Sequence, residues 1–158
     1  MDDLALQLEI FRDVLIALVL GGVIGLEREA ADKPAGFRTQ MMVAGAAALL
    51  VGLSDALLAS FDAEASSGLI RSDPIRIVEA IITGVSFLGA GTIFRRGRSD
   101  HVEGLTTAAT LLMSAAVGIS VALDQIPLAI GVTGLSLVVL WGLRVVEQRL
   151  RPRRRPEK

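Results

Sequence analysis

The sequence predicts an all-α integral membrane protein, a bundle of five transmembrane helices with a possible parallel two-helix repeat. Three observations carry that expectation. First, 52% of the 158 residues are hydrophobic and the mean hydropathy is +0.58, which sets the chain apart from ordinary soluble domains. Second, the charged residues are segregated, leaving five apolar segments near the roughly 20 residues needed to cross a hydrocarbon core about 30 Å thick. Third, Gly, Ala and Ser crowd those segments. Between lipid-embedded helices the gain comes from close backbone approach, which small residues permit, whereas a soluble core would favour large apolar side chains.

The segments are residues 10–26, 39–61, 75–94, 105–123 and 126–146. In the first, Leu4, Leu8, Phe11 and Leu15 form a helical stripe opposite Glu9, Arg12 and Asp13, so its leading turns belong at the interface. The third should start at Pro74, with Asp73 as a carboxylate cap ahead of a residue that has no amide proton to lose. Thr106 and Thr107 are in place to cap the fourth, and Asp124 or Gln125, ahead of Pro127, the fifth. Residues 1–150 read as one transmembrane domain and 151–158 as a basic cytoplasmic tail. Met1-Asp2-Asp3 lacks the basic start of a secretory signal, so the first segment is expected to be retained.

Orientation follows from the basic residues. Arg28, Lys33 and Arg38, then Arg95, Arg96 and Arg98, then Arg144, Arg149, Arg151, Arg153, Arg154, Arg155 and Lys158 fall on one side, thirteen in all. The other side has Arg12, Arg71 and Arg76. The positive-inside rule places the N-terminus outside and the C-terminus in the cytoplasm. Shifting the chain by 68 superposes Gly21 on Gly89, Arg28 on Arg96, Gly36 on Gly104, Thr39 on Thr107 and Ala47-Ala48 on Ala115-Ala116, without a gap. Both paired connections fall on the same side, so such a repeat is parallel.

Candidate functional residues form four groups. Glu27, Arg28, Glu29, Arg38, Arg95 and Arg96 interleave acids and bases at the cytoplasmic helix ends, as a paired polar cluster would; basic snorkelling anchors are the alternative. Arg76 and Glu79, three apart on the first turn of the third helix, have the spacing of an intrahelical pair. Gly21, Gly25, Gly84, Gly89, Gly91 and Gly104 are expected to let helices approach closely. Thr106 and Thr107 supply polar groups to the fourth helix.

Several function classes are disfavoured. A net charge of -1, with the only dense basic run in the tail, argues against nucleic-acid binding, and that run suits anionic headgroups. There is no cysteine and a single histidine, His101, so no transition-metal set is specified. No nucleophile and base stand in a recognisable arrangement, and no cofactor is implied. The expected partners are membrane lipids and another membrane protein or a second copy of the chain.

Gly25-Leu26-Glu27-Arg28-Glu29, Pro34-Ala35-Gly36-Phe37-Arg38-Thr39, the run from Phe87 to Gly91 with Arg95, and the run from Gly104 to Thr110 together resemble the MgtC/SapB family of small bacterial inner-membrane proteins, over roughly residues 14 to 145. The resemblance implies a multi-pass inner-membrane protein linked to growth at low magnesium and, in intracellular pathogens, to survival in macrophages; inhibition of the F-type ATP synthase has been proposed for some members. Many members continue into a soluble domain, whereas this sequence stops at Lys158. Some virulence-associated members have Asn where this chain has Thr106, and Cys where it has Met113. Two functions follow as expectations: a non-enzymatic modulator of another membrane protein, or a transporter or channel for a small ion (Mg2+, H+) or solute. A solid small-residue core favours the first, and a polar cavity at mid-membrane the second.

Overall fold

The computed structural model describes residues 3–64, 74–95 and 102–150. Five helices follow one another: α1 (Asp3–Ala30), α2 (Phe37–Glu64), α3 (Pro74–Ala90), α4 (Leu105–Ala122) and α5 (Ile126–Leu150). Two short strands, β1 (Phe94–Arg95) and β2 (Val102–Glu103), stand between α3 and α4. α3 begins at Pro74 as the sequence predicts; its expected cap, Asp73, lies outside the described residues. Among the described residues, two helices contain stretches long and apolar enough to cross a membrane, Phe37–Ser54 and Leu105–Ala122, and α5 contributes a shorter apolar one, Ile126–Gly142.

The buried and exposed faces of the helices differ in residue size. Among the described residues, six of the thirteen buried apolar ones are alanine: Ala17, Ala44, Ala47, Ala48, Ala115 and Ala129. Large side chains point outward, including Phe11, Phe87 (83% exposed) and Trp141 (66% exposed). Small inside and large outside is the pattern of helices that meet each other by backbone approach and meet lipid with their bulk. The stripe Leu4, Leu8, Phe11 and Leu15 lies on that outer surface.

α4 is the central helix, touching the other four. One apolar cluster joins α1, α2, α4 and α5 through residues such as Ala17, Ala44, Val117 and Ala129. A second joins α2, α3 and α4 through Ala47, Val51, Ile81 and Ala115. The α1/α2 contact is tightest at Gly21 and Gly25: a Cβ added at Gly21 would lie 2.6 Å from the Gln40 carbonyl oxygen, and one at Gly25 2.6 Å from Phe37 Cα.

Positions 68 apart make equivalent contacts. Gly21 packs on Gln40, and Gly89 packs on Ala108, the residue 68 beyond Gln40. The first helical hydrogen bond of α2 runs from the Gln40 amide to the Gly36 carbonyl at 3.1 Å, and that of α4 from the Ala108 amide to the Gly104 carbonyl at 2.9 Å. The pair α1/α2 and the pair α3/α4 therefore share a local packing register.

The structure corrects several expectations. The third apolar segment does not stay helical to Phe94. Thr92 donates both its amide and its hydroxyl to the Gly89 carbonyl, at 2.9 and 2.7 Å, which closes the helix. The chain then extends so that Phe94 pairs with Glu103 and Arg95 with Val102. Thr106 and Thr107 do not cap α4: Gly104 holds the N-cap position with φ 95°, with no side-chain cap. A side chain there would face the Thr92 carbonyl oxygen from 2.0 Å as well as a left-handed backbone, so only glycine fits. Of the glycines expected to pack, Gly84 has no described atom within 4 Å of an added Cβ, and Gly91 meets only carbonyls of its own helix. Gly84 lines an open groove between α2 and α3 and Gly91 stands just past the last residue of α3, while Gly89 faces Ala108 at 3.2 Å.

Gly89→Leu is accordingly expected to lower thermal stability in detergent by about 1–3 kcal/mol through overpacking against α4. Gly84→Leu should leave it within about 0.5 kcal/mol of the parent, as a substitution at an open position does. Equal unfolding temperatures for Gly89→Leu and the parent would contradict the α3/α4 contact.

Candidate functional site: hinge charges and a buried polar node

The α1–α2 hinge is built by side chains reporting to backbone. Two turn residues, Asp32 and Ala35, adopt positive φ of 51° and 56°, a conformation that normally disfavours residues with a Cβ. Two contacts hold the turn. Glu29 Oε2 accepts a hydrogen bond from the Phe37 amide at 2.9 Å, satisfying an otherwise orphan donor at the start of α2 and placing a carboxylate at a helix N-terminus. Gln40 Nε2 donates to the Ala35 carbonyl at 3.2 Å.

Beside this hinge, Arg28 is 4% exposed. Its Nε donates to Glu27 Oε2 at 2.6 Å, and its Nη2 closes a salt bridge on the same oxygen. The other carboxylate oxygen, Oε1, is buried with no hydrogen-bond partner. The candidate cluster is therefore distributed over distinct roles. Glu27 and Arg28 pair with each other, Glu29 caps α2, and Arg38 is exposed on the first turn of α2 with no ion pair among the described residues. Arg95 lies in β1; its side chain, and all of Arg96, lie outside the described residues.

The Arg76 and Glu79 pair is not formed. Both residues are exposed, and no ion pair joins them. At an exposed position such a pair is worth only about 0–1 kcal/mol, too little to hold two long side chains. Arg76 instead lines the end of a groove between α2 and α3.

Sequence reasoning missed a fully buried polar group. Gln40, fully buried, reaches from α2 into α4: its Nε2 donates to Thr110 Oγ1 at 3.0 Å, and its Oε1 accepts from Ser114 Oγ at 2.7 Å. The Thr110 hydroxyl in turn donates to the Thr107 carbonyl at 2.9 Å. Every member has a partner, so the node cross-links the two central helices where an unpaired amide would be costly. Its only signal in the sequence is a glutamine in the first turn of an apolar helix.

Against the node lies a cavity of about 240 Å³ between α1, α4 and α5. Thr106, Thr110 and Met113 from α4, Ile24 from α1, and Ser136 and Leu140 from α5 are among its lining. Thr106 and Met113 thus open onto one space. The cavity is almost wholly apolar, and two of the three polar residues on it are already hydrogen-bonded, Thr110 to the Thr107 carbonyl and Ser136 to the Val132 carbonyl at 2.8 Å. It can accommodate an apolar group, and no group of three or more His, Asp or Glu side chains that could hold a metal ion stands among the described residues.

Comparison with known proteins places this geometry in context. The MgtC family model matches residues 14–149. A Haemophilus influenzae protein described only as uncharacterized is 43% identical over 114 residues, covering 72% of this chain and 47% of its own length. The protein MgtC of Salmonella typhimurium is 36% identical over 150 residues, 95% of this chain and 59% of its own. The protein MgtC of Brucella abortus is 46% identical over 103 residues, 65% of this chain and 38% of its own. The chain thus spans between about two-fifths and three-fifths of the length of these curated relatives. No solved structure matches it.

Proposed function

The chain belongs to the MgtC family, and on that premise we propose that it acts as a non-enzymatic, multi-pass inner-membrane modulator: a helical module that binds another membrane protein, or a second copy of itself, and thereby alters membrane potential or ATP synthesis under magnesium limitation. The observation that carries this reading is the closed interior. α1, α2 and α4 meet through alanine and glycine, the buried node of Gln40, Thr110 and Ser114 satisfies itself, and the adjacent cavity is apolar. An ion pathway needs polar groups free to replace a hydration shell. α5 supports the partner side of the proposal, since Gly131, Gly134 and Gly142 have no described atom within 4 Å of an added Cβ, leaving its backbone open to a further helix.

Transport of a small ion or solute is the second reading, favoured by the equivalent contacts at Gly21/Gln40 and Gly89/Ala108, because transporter sites commonly form between repeats. One paired experiment separates the two. The chain is expected to restore growth of an MgtC-deficient strain at low magnesium, while purified protein in liposomes passes neither Mg2+ nor protons faster than protein-free vesicles. Flux that saturates with ion concentration would overturn the modulator reading.

The same proposal includes five spans, an external N-terminus and a cytoplasmic C-terminus, supported by the thirteen-to-three distribution of basic residues. Alkaline phosphatase fused at Gly68 should be active and inactive at Lys158, with green fluorescence showing the reverse. Fluorescence at Gly68 would refute this orientation.

A further inference from the structure

We propose that the groove between α2 and α3 holds one acyl chain of an anionic phospholipid, with the lipid phosphate seated on Arg76. The groove has a volume of about 680 Å³ and opens along the side of the bundle. On α3 its wall is the face Ile77, Ala80, Ile81, Gly84, Val85 and Leu88, the 3-and-4 spacing of a single helical stripe. From Arg76 to Leu88 that wall runs about 18 Å at 1.5 Å per residue, slightly more than half of a hydrocarbon core about 30 Å thick. The groove thus has the reach of one leaflet.

Chemistry at its two ends is unequal. Arg76 is the one charged residue among the described residues that line it; Ser54 of α2 is also on its wall, with its hydroxyl already committed to the Leu50 carbonyl at 2.6 Å. Arg76 is exposed and in no ion pair among the described residues. A guanidinium at the level of the headgroups, on top of an apolar slot, complements a phosphate above a hydrocarbon chain. A partner helix would instead bury this unpaired cation at the edge of an apolar contact, which is unfavourable without a matching acid. Gly84 fits the same account. No described atom comes within 4 Å of an added Cβ there, so its missing side chain serves no helix contact and instead widens the groove where a chain would lie.

The inference does not depend on the modulator reading and is tested without any activity assay. Protein is reconstituted in nanodiscs of phosphatidylethanolamine and phosphatidylglycerol at 3:1, released, and weighed by native mass spectrometry, with folding monitored by circular dichroism. The parent should retain one phosphatidylglycerol. Arg76→Gln should reduce that retention about tenfold, Arg76→Lys should keep most of it, and Gly84→Leu should abolish it by filling the groove while remaining folded. Retention by Arg76→Gln equal to the parent, or no preference for phosphatidylglycerol over phosphatidylethanolamine, would overturn the proposal. So would efficient disulfide dimerisation of Ala80→Cys in native membranes, which would put a second copy where the lipid belongs.

Discussion

Gly118→Ala should destabilise the bundle by at least about 1–3 kcal/mol, the usual range for overpacking a filled interior, while Gly131→Ala should be neutral or stabilising. A Cβ at Gly118 would stand 2.1 Å from the Ala44 carbonyl oxygen, 2.9 Å from the Ala44 carbonyl carbon and 3.1 Å from Ala47 Cβ. Two of those neighbours are backbone, so relief requires α2 to move as a whole. α2 is held to α4 by the Gln40 hydrogen bonds and to α1 at Gly21 and Gly25, and displacing it strains both contacts. At Gly131 an added Cβ would meet no described atom of another element within 4 Å, and the substitution removes a helix penalty of about 1 kcal/mol. Thermal unfolding of the two variants in one detergent supplies the comparison. Equal shifts would mean that α2 and α4 do not meet at Ala44 and Gly118.

That contrast also shows which parts of the fold could be read from the residues. Five helices in order were legible because each needs only a long apolar run, and the start of α3 because Pro74 marks a first helical turn. Helix ends were less so. The stop at Ala90 depends on Thr92 bonding back to Gly89, and apolar Ile93 and Phe94 hid it. Which glycines pack was not legible either: Gly84, Gly89 and Gly91 read alike in the sequence, and only the position of α4 separates them.

The candidate site divides similarly. Glu27, Arg28 and Glu29 could be singled out because charges of both signs at an apolar boundary are conspicuous, but not that Glu29 would cap α2 across the hinge. The node of Gln40, Thr110 and Ser114 joins residues 70 and 74 apart in sequence, and the threonine and serine belong to a run of small polar residues with nothing to distinguish them. Gln40 itself carried a usable signal. An amide at the start of an apolar helix must find partners on other helices or lie at the surface, and it is fully buried.

The charge pair at the end of α1 should be the most sensitive polar feature. Arg28→Met is expected to destabilise by about 3–5 kcal/mol, the cost of removing one partner from a buried ion pair. The Arg28 and Glu27 side chains are only 5% and 13% exposed, so solvent cannot replace the lost counter-charge. Glu27 has little reserve, because among the described residues Oε2 is engaged by Arg28 alone and Oε1 already lacks a partner. Glu27→Gln in the Arg28→Met background should recover part of the loss, since a neutral amide is cheaper to bury than an uncompensated carboxylate. The exposed Arg38 sets the baseline: Arg38→Gln should stay within about 0.5 kcal/mol of the parent, as surface substitutions do. Thermal unfolding of both single variants, the double variant and Arg38→Gln closes the cycle. A coupling of about 0.5–3 kcal/mol between Glu27 and Arg28 is the expected result for groups in contact. Additive single effects, each no larger than that of Arg38→Gln, would instead make Arg28 an anchor at the membrane surface.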